Sequence, residues 1–141
     1  MTSPLSDAEY LALAEFRQAL RRFLQFSEQA AEGLGLTPQQ HQALLAIRGF
    51  GGAAGLAMGE LAERLQIRHH SAAGLVARLE AQGLVARRPG TADRRQVYVS
   101  LLPKAAALLE RLSRPHRAEL RRVSPLLLDI LGRIGAAHPP E

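Results

Sequence analysis

The stretch "MGELAERLQIRHHSAAGLVARLEAQG", Met58–Gly83, decides the fold because it contains two short helical patterns with a very short link between them. In the first pattern, Leu61 and Leu65 are four residues apart and share one helix face. The second, predicted over 69–82, ends before Gly83, a residue type that commonly terminates helices. Two short helices joined by about three residues are typical of a helix-turn-helix motif.

The second helix of this motif has two different faces when its residues are placed at 100° steps. We expect its apolar side chains to pack on the rest of the domain: Ala72, Leu75, Val76 and Leu79. The opposite face carries mostly small residues: His70, Ala73, Gly74, Ala77 and Ala81. Small residues let a helix approach base edges in the major groove of DNA. Alanine also simply favours helices, but a mid-helix glycine costs about 1 kcal/mol relative to alanine.

Polar and basic residues gather where this helix begins: Arg68, His69, His70 and Ser71. The N-terminal end of a recognition helix usually reads the bases. A helix N-terminus also favours a phosphate group, because its first backbone N–H groups lack partners within the helix. The sequence therefore predicts a recognition helix over 69–82 that enters the major groove.

The next stretch, "LVARRPGTADRRQVYVSL", Leu84–Leu101, predicts a β-hairpin with a basic tip. Apolar and polar residues alternate toward its end, as in a half-buried strand. A hairpin that directly follows a recognition helix is a wing, predicted here over 88–96, and arginine suits the negative potential of a narrow minor groove. We expect Asp93 to pair with a nearby arginine or to bond to its own turn, which would fix the shape of the tip. A solvated charged loop is the alternative interpretation.

Helical patterns precede this region. Ser6–Glu9 fits a capping box, and an apolar stripe then continues to about Gly33. Thr37 and the proline after it begin another helix, predicted to end near Arg48. The glycine-rich segment "GFGGAAG", Gly49–Gly55, is predicted to be a flexible connection.

A last helical region follows the hairpin and opens at Pro103. Pro115 lies inside it and is predicted to kink or split it, and Ser124 with Pro125 fits another helix start, so one or two helices are expected. The segment "SPLLLDILGRI" is too apolar to face water on a monomer, which indicates burial against a partner.

Composition narrows the functional classes. The 141 residues carry a formal net charge of +5, which favours nucleic acid or another anionic partner. There is no cysteine, and the five histidines show no metal-ligand spacing, so neither a metal nor a cofactor is predicted. No nucleophile or phosphate-binding motif indicates an enzyme. No stretch approaches the roughly 20 apolar residues of a membrane span, and a cytoplasmic protein without a membrane partner is expected.

Three segments together resemble the MarR family of bacterial winged-helix regulators: "LTPQQHQALLAI", "MGELAERLQI" and "SAAGLVARLEAQGLVARRPGTADRRQVYVSLLPKA". The resemblance covers Leu36 to about Leu112. It implies a mainly α fold with a small β-hairpin, in one domain over 1–141. Within it, 36–102 would be the winged helix-turn-helix lobe, while 6–33 and 103–136 would form a helical dimerisation region.

The family resemblance also implies a function. It predicts a homodimer that binds a pseudo-palindromic operator in double-stranded DNA and usually represses transcription. A small phenolic or lipophilic ligand commonly relieves such repression, although no ligand-binding residue is predicted here. Asp93 matches the aspartate of the family's wing motif, and Arg95 matches its arginine, with Arg94 beside it. Arg68 departs from the family, which often has Ser or Asp as the cap of the recognition helix.

Together, the helix pattern, the charge and the resemblance predict ten DNA-contacting residues: Arg68, His69, His70, Ser71, Ala73, Gly74, Arg78, Arg88, Arg94 and Arg95. The competing hypotheses are a winged helix that binds protein and a basic RNA-binding module. RNA recognition usually relies on aromatic stacking, and Tyr98 is the hairpin's one aromatic residue. A protein-binding wing would not need arginines near its tip.

Overall fold

Five α-helices and three short strands make up the part of the chain that the computed structural model describes, residues 3–137. Side-chain burial is described as far as residue 135. The elements in chain order are α1 (Asp7–Gly33), α2 (Pro38–Gly51), β1 (Leu56–Ala57), α3 (Met58–Leu65), α4 (His69–Ala81), β2 (Val85–Pro89), β3 (Val97–Leu101) and α5 (Pro103–Ala137). A 3₁₀ turn, Gly52–Ala54, lies between α2 and β1.

The chain divides into two compact units. One contains residues 30–113, with the complete helix-turn-helix and the sheet. The other contains the described residues up to 29 and from 114 onward, which belong to α1 and α5. The functional division expected from the sequence, with 36–102 as the DNA-binding lobe, stays a prediction.

The unit over residues 30–113 is built around one aliphatic core. Its largest fully buried side chains come from every helix of the unit and from the sheet: Leu44, Ile47, Leu61, Leu75, Val76, Leu79, Leu84, Val85, Val99 and Leu112. Burying one such side chain contributes about 1.5–3 kcal/mol. The inward face predicted for α4 is confirmed, because its four apolar residues are each at most 1% exposed.

The strands form one antiparallel sheet in the order β1–β3–β2. β2 and β3 form the predicted hairpin, with Val85 opposite Leu101. The prediction of a flexible connection over Gly49–Gly55 was wrong, because α2 extends to Gly51 and a 3₁₀ turn leads directly into β1. Gly55 has φ +95°, and a Cβ there would lie 2.6 Å from the Val99 carbonyl oxygen, so glycine allows β1 to approach β3.

Local signals locate the helix starts correctly. Ser6 Oγ accepts the N–H of Glu9 at 3.2 Å beside the start of α1. Before α2, Thr37 and Gln40 form the complete capping box, with both hydrogen bonds at 3.1 Å. Between α3 and α4, Gln66 adopts the left-handed conformation at φ 57° and makes the link as short as predicted.

Of the two alternatives expected for the last helical region, the structure has the single helix, because α5 continues through Pro115 and Pro125. A proline removes one backbone donor and strains the preceding turn. Leu112 before the first proline and Ile130 after the second are both almost fully buried. Tertiary packing therefore stabilises the helix on both sides of the prolines and outweighs their local preference.

Candidate nucleic-acid interface

The start of α4 is exposed and has no side-chain cap. Arg68 occupies the cap position in an extended conformation and accepts no hydrogen bond through its side chain. The next three residues, His69, His70 and Ser71, are exposed. Because guanidinium has no acceptor, the first N–H groups of the helix gain no partner from this residue type. The arrangement leaves donors and a positive side chain together at the end of the helix.

The outer face of α4 is shallow. Ala77 and Arg78 are exposed, while Ala73 and Gly74 are half-buried. A Cβ built on Gly74 would lie 3.7 Å from a guanidinium nitrogen of Arg78, which is ordinary van der Waals contact. The long side chain of Arg78 therefore passes close to Gly74. The face offers one long basic side chain among small residues.

A groove of about 960 Å³ lies between the helix-turn-helix and the sheet. His69 and Ala73 of α4 line one side, and Arg87, Arg95 and Tyr98 of the hairpin line the other. The fold thus brings predicted contacts from the recognition helix and from the wing to one concave surface. The groove also contains two carboxylates from α3, Glu60 and Glu63.

The wing tip is held in shape by Asp93. Its Oδ1 accepts the backbone N–H of Arg95 at 2.9 Å and Arg95 Nε at 3.4 Å, so both interactions considered from the sequence are present. The Asp93 carbonyl also accepts the N–H of Gln96 at 3.1 Å. A Cβ on Gly90 would lie 2.5 Å from that same carbonyl oxygen, so the tip has room for glycine alone. The effect of this geometry on DNA binding stays a prediction.

The arginines of the hairpin fall into two groups. Arg94 and Arg95 at the tip are exposed, and the side chain of Arg95 is 93% exposed. Arg88 on β2 donates a hydrogen bond to the Ala54 carbonyl, and its predicted contact with DNA stays untested. The sequence analysis did not select Arg87. Its Nη2 lies 2.9 Å from Oε1 of Glu80 in α4. The side chains of adjacent strand residues face opposite sides of a sheet. This alternation is the signal in the sequence that could have assigned Arg87 and Arg88 to different faces.

The far end of α4 is also anchored. Lys104 Nζ donates to the carbonyl of Gln82 at 3.3 Å, which places a cation at the helix C-terminus where the dipole favours it. The Gln82 side chain lies 3.5 Å from the buried side chain of Gln40. These contacts restrain the C-terminal end of α4 against the rest of the unit. The sequence analysis did not identify them, because they join residues far apart in the chain.

Within residues 3–137, no three His, Asp or Glu side chains lie close enough together to hold a metal ion. None of the helices described is both long and apolar enough to cross a membrane. His116 is hydrogen-bonded to Ser27 at 2.8 Å and makes edge contacts with the rings of Phe23 and Phe26.

The helix-turn-helix and the start of the hairpin are similar to a known protein family. Residues 34–96 match the family model described as the MarR family. Over these residues the chain is similar to the MarR family. The match includes the whole helix-turn-helix and the hairpin as far as Gln96. The resemblance predicted from the sequence is therefore confirmed, and so is the winged-helix fold. A comparison with curated protein sequences gave no match.

Solved MarR family structures share the fold of this chain. AbsC, a MarR family transcriptional regulator from Streptomyces coelicolor, is 22% identical, with 99% of this chain and 95% of AbsC aligned and a TM-score of 0.75. A mutant MarR from E. coli complexed with operator DNA is 22% identical over 89% of this chain and 91% of its own, at a TM-score of 0.66. An S. aureus MepR–DNA complex is 23% identical over 95% and 93%, also at 0.66.

Proposed function

We propose that this protein is a sequence-specific DNA-binding transcription regulator. The observation that carries the proposal is the groove in which His69 and Ala73 of α4 meet the exposed Arg95 of the wing. A net charge of +5 provides the general attraction to DNA. Two of the similar structures are described as DNA complexes, which supports the same function here.

In the proposed complex, α4 enters the major groove with its N-terminal end toward the bases. His69, His70 and Ser71 then lie near base edges, while Ala73 and Ala77 permit close approach. Arg68 and the first backbone N–H groups of the helix contact phosphate. Arg94 and Arg95 reach the neighbouring minor groove. The polar residues at the start of α4 thus read bases, the small residues allow close approach, and the arginines supply positive charge.

We further propose that the protein acts as a homodimer. Several large apolar side chains of the terminal helices are more than 40% exposed, which is unfavourable on an isolated chain: Tyr10, Leu11, Leu13, Leu24, Leu120, Leu126, Leu128 and Leu131. A two-fold dimer buries the same surface of both copies. Its two recognition helices then contact half-sites about 10 bp apart, so the operator is pseudo-palindromic.

Repression relieved by a small ligand is the proposed mode of regulation. It follows from the family resemblance. A phenolic or lipophilic molecule that binds preferentially to a dimer with mismatched helix spacing would weaken DNA binding by its differential affinity for that state. A bound repressor would exclude transcription proteins from the operator until such a ligand arrives.

A mobility-shift assay with the intergenic DNA beside the protein's own gene tests the proposal. The purified protein is titrated at two salt concentrations, with a scrambled duplex of equal length as the control. We expect selective binding with dimer stoichiometry. If about 8 phosphates are contacted, log affinity should fall with log salt at a slope near −7. Equal binding to both duplexes would reject recognition of that DNA, and no binding at low salt would favour a protein-interaction or RNA-binding role.

A further inference from the structure

Two adjacent arginines of β2 hold the wing from opposite sides. Arg87 approaches Glu80 of α4, with Nη2 at 2.9 Å and Nε at 3.2 Å from the same carboxylate oxygen. Arg88 donates to the carbonyl of Ala54 in the 3₁₀ turn before β1. Successive strand side chains project to opposite faces of a sheet. The strand that leads into the wing is therefore tied to the recognition helix on one face and to the 3₁₀ turn on the other.

We propose that Arg87 and Arg88 are positioning residues that set the angle of the wing relative to α4, and that neither supplies a phosphate contact. This inference rests on the proposed DNA-binding function and reassigns Arg88, which the sequence predicted to contact DNA. The basic charge that the wing offers to DNA then comes from Arg94 and Arg95 at its tip.

Burial along β2 explains why such ties are needed. Val85 at the base of the strand is 1% exposed, and Ala86 is half-buried, but Arg87 and the two residues after it are exposed. Apolar packing therefore anchors only the first part of the strand. Beyond it, β2 is restrained by its backbone ladder to β3, whose Val97 packs against the core, and by the two arginine contacts. A tilt of this outer part would move the wing tip relative to α4.

The charge of Glu80 allows a positioning role of Arg87 to be distinguished from a phosphate-binding role. Glu80 neutralises much of the field of Arg87 at the distance observed. If Arg87 were a phosphate contact, removing Glu80 would free it and strengthen DNA binding. If Arg87 positions the wing, removing Glu80 releases the strand and weakens DNA binding. The two assignments thus predict opposite signs for one substitution.

Glu80→Ala is the first variant to measure, with Glu63→Ala as the matched control. Glu63 is exposed on α3 and lines the same groove, so its substitution removes the same charge near the DNA. We expect Glu63→Ala to maintain or raise operator affinity. We expect Glu80→Ala to lower it about threefold to tenfold, the scale of one exposed ion pair lost in each copy of a dimer. An affinity of Glu80→Ala equal to or above that of Glu63→Ala would overturn the proposal.

A charge exchange gives a second test. The double variant Glu80→Arg/Arg87→Glu keeps the net charge and restores the pair with its polarity reversed. We expect it to bind the operator within about threefold of the wild type, while each single reversal binds more weakly. A phosphate contact at Arg87 would instead place a carboxylate against DNA, and the double variant would lose binding.

The salt dependence of DNA binding by Arg88→Ala tests the role of Arg88. We expect Arg88→Ala to weaken binding while the slope of log affinity against log salt stays at the wild-type value. Loss of a phosphate contact in both copies of a dimer would reduce that slope by about 2. A reduction of that size would therefore overturn the assignment of Arg88 as a positioning residue.

The mobility of the wing tip, measured without DNA, tests the positioning role independently of the proposed function. Backbone ¹⁵N relaxation of residues 90–96 reports the motion of the wing tip. We expect greater mobility in Glu80→Ala and Arg88→Ala than in the wild type and Glu63→Ala, with similar melting temperatures. Unchanged mobility would reject the positioning role even if the protein binds DNA. Should the wild type bind no DNA, the proposed function fails, and relaxation alone decides whether these arginines hold the wing.

Discussion

The recognition helix and the wing present opposite kinds of surface. The outer face of α4 consists mainly of small residues, and shape is its main contribution. The wing tip carries two exposed arginines around a rigid turn, and charge is its main contribution. The difference shows that the two parts should respond differently to substitution. The helix should be sensitive to added bulk, whereas the wing should be sensitive to lost charge and to altered turn geometry.

The largest effect is expected from bulk and negative charge on the helix face. Ala77→Glu should lower operator affinity by about 100-fold or more, because juxtaposed like charges cost several kcal/mol and the longer side chain obstructs entry to the groove. The measurement is a mobility shift at fixed salt. Ala107→Glu, at an exposed position on α5, is the matched control and should have little effect. Unchanged affinity in Ala77→Glu would show that another face contacts DNA.

Loss of charge at the wing should have a smaller effect. Arg95→Ala should weaken operator binding by about tenfold and reduce the salt slope by about 2 for a dimer, since one phosphate or minor-groove contact is lost in each copy. Preference for A·T pairs beside the half-sites should also fall. Affinity titrations at several salt concentrations give both values. A melting temperature lowered by many degrees would instead assign Arg95 a structural role.

Altered geometry at the wing should have a moderate effect without a change in charge. Gly90→Ala places a Cβ 2.5 Å from the Asp93 carbonyl oxygen, so the tip must shift. We expect a loss of a few-fold in operator affinity with an unchanged salt slope, in line with a cost of about 1 kcal/mol. Gly49→Ala is the control, because Gly49 is exposed on α2 outside the groove and a Cβ there meets no atom within 4 Å. Equal affinities for the two variants would show that the tip tolerates the change.

The smallest effect on affinity is expected at Gly74. A Cβ at this position makes only ordinary contact with Arg78, so Gly74→Ala should raise the free energy of unfolding by up to about 1 kcal/mol. DNA affinity should change by less than about threefold, since one methyl group adds little bulk. Chemical denaturation and the mobility shift measure the two quantities. A large loss of affinity would show that the DNA backbone or a base lies directly against Gly74.

The fold was largely predictable because its signals are local. Thr37 with Gln40, the four-residue spacing of Leu61 and Leu65, and Gly83 mark helix starts, faces and ends within a few residues of each other. β1 could not be predicted in this way, because two residues are too few to show an alternating pattern. The choice between one and two helices for α5 could not be made from the sequence for another reason, since burial on both sides of its prolines depends on tertiary packing.

The candidate site was predictable to a lesser degree. The exposed tip arginines follow from the hairpin pattern and the resemblance, and the small-residue face of α4 follows from helical periodicity. The contacts of Arg87 with Glu80 and of Arg88 with Ala54 depend on how the hairpin folds back on the lobe. The sequence shows four arginines near one turn. The distances and hydrogen bonds separate those that face solvent from those that hold the strand.

Chemical protection of the operator reports directly whether α4 and the wing contact DNA together. Dimethyl sulfate methylates N7 of guanine in the major groove and N3 of adenine in the minor groove, so it reports both grooves at once. We expect the wild-type protein to protect guanine N7 in two half-sites about 10 bp apart, and adenine N3 in the minor groove beside each of them. Arg95→Ala should lose only the adenine protection. Adenine protection alone, or uniform protection without half-sites, would contradict the joint reading of DNA by α4 and the wing.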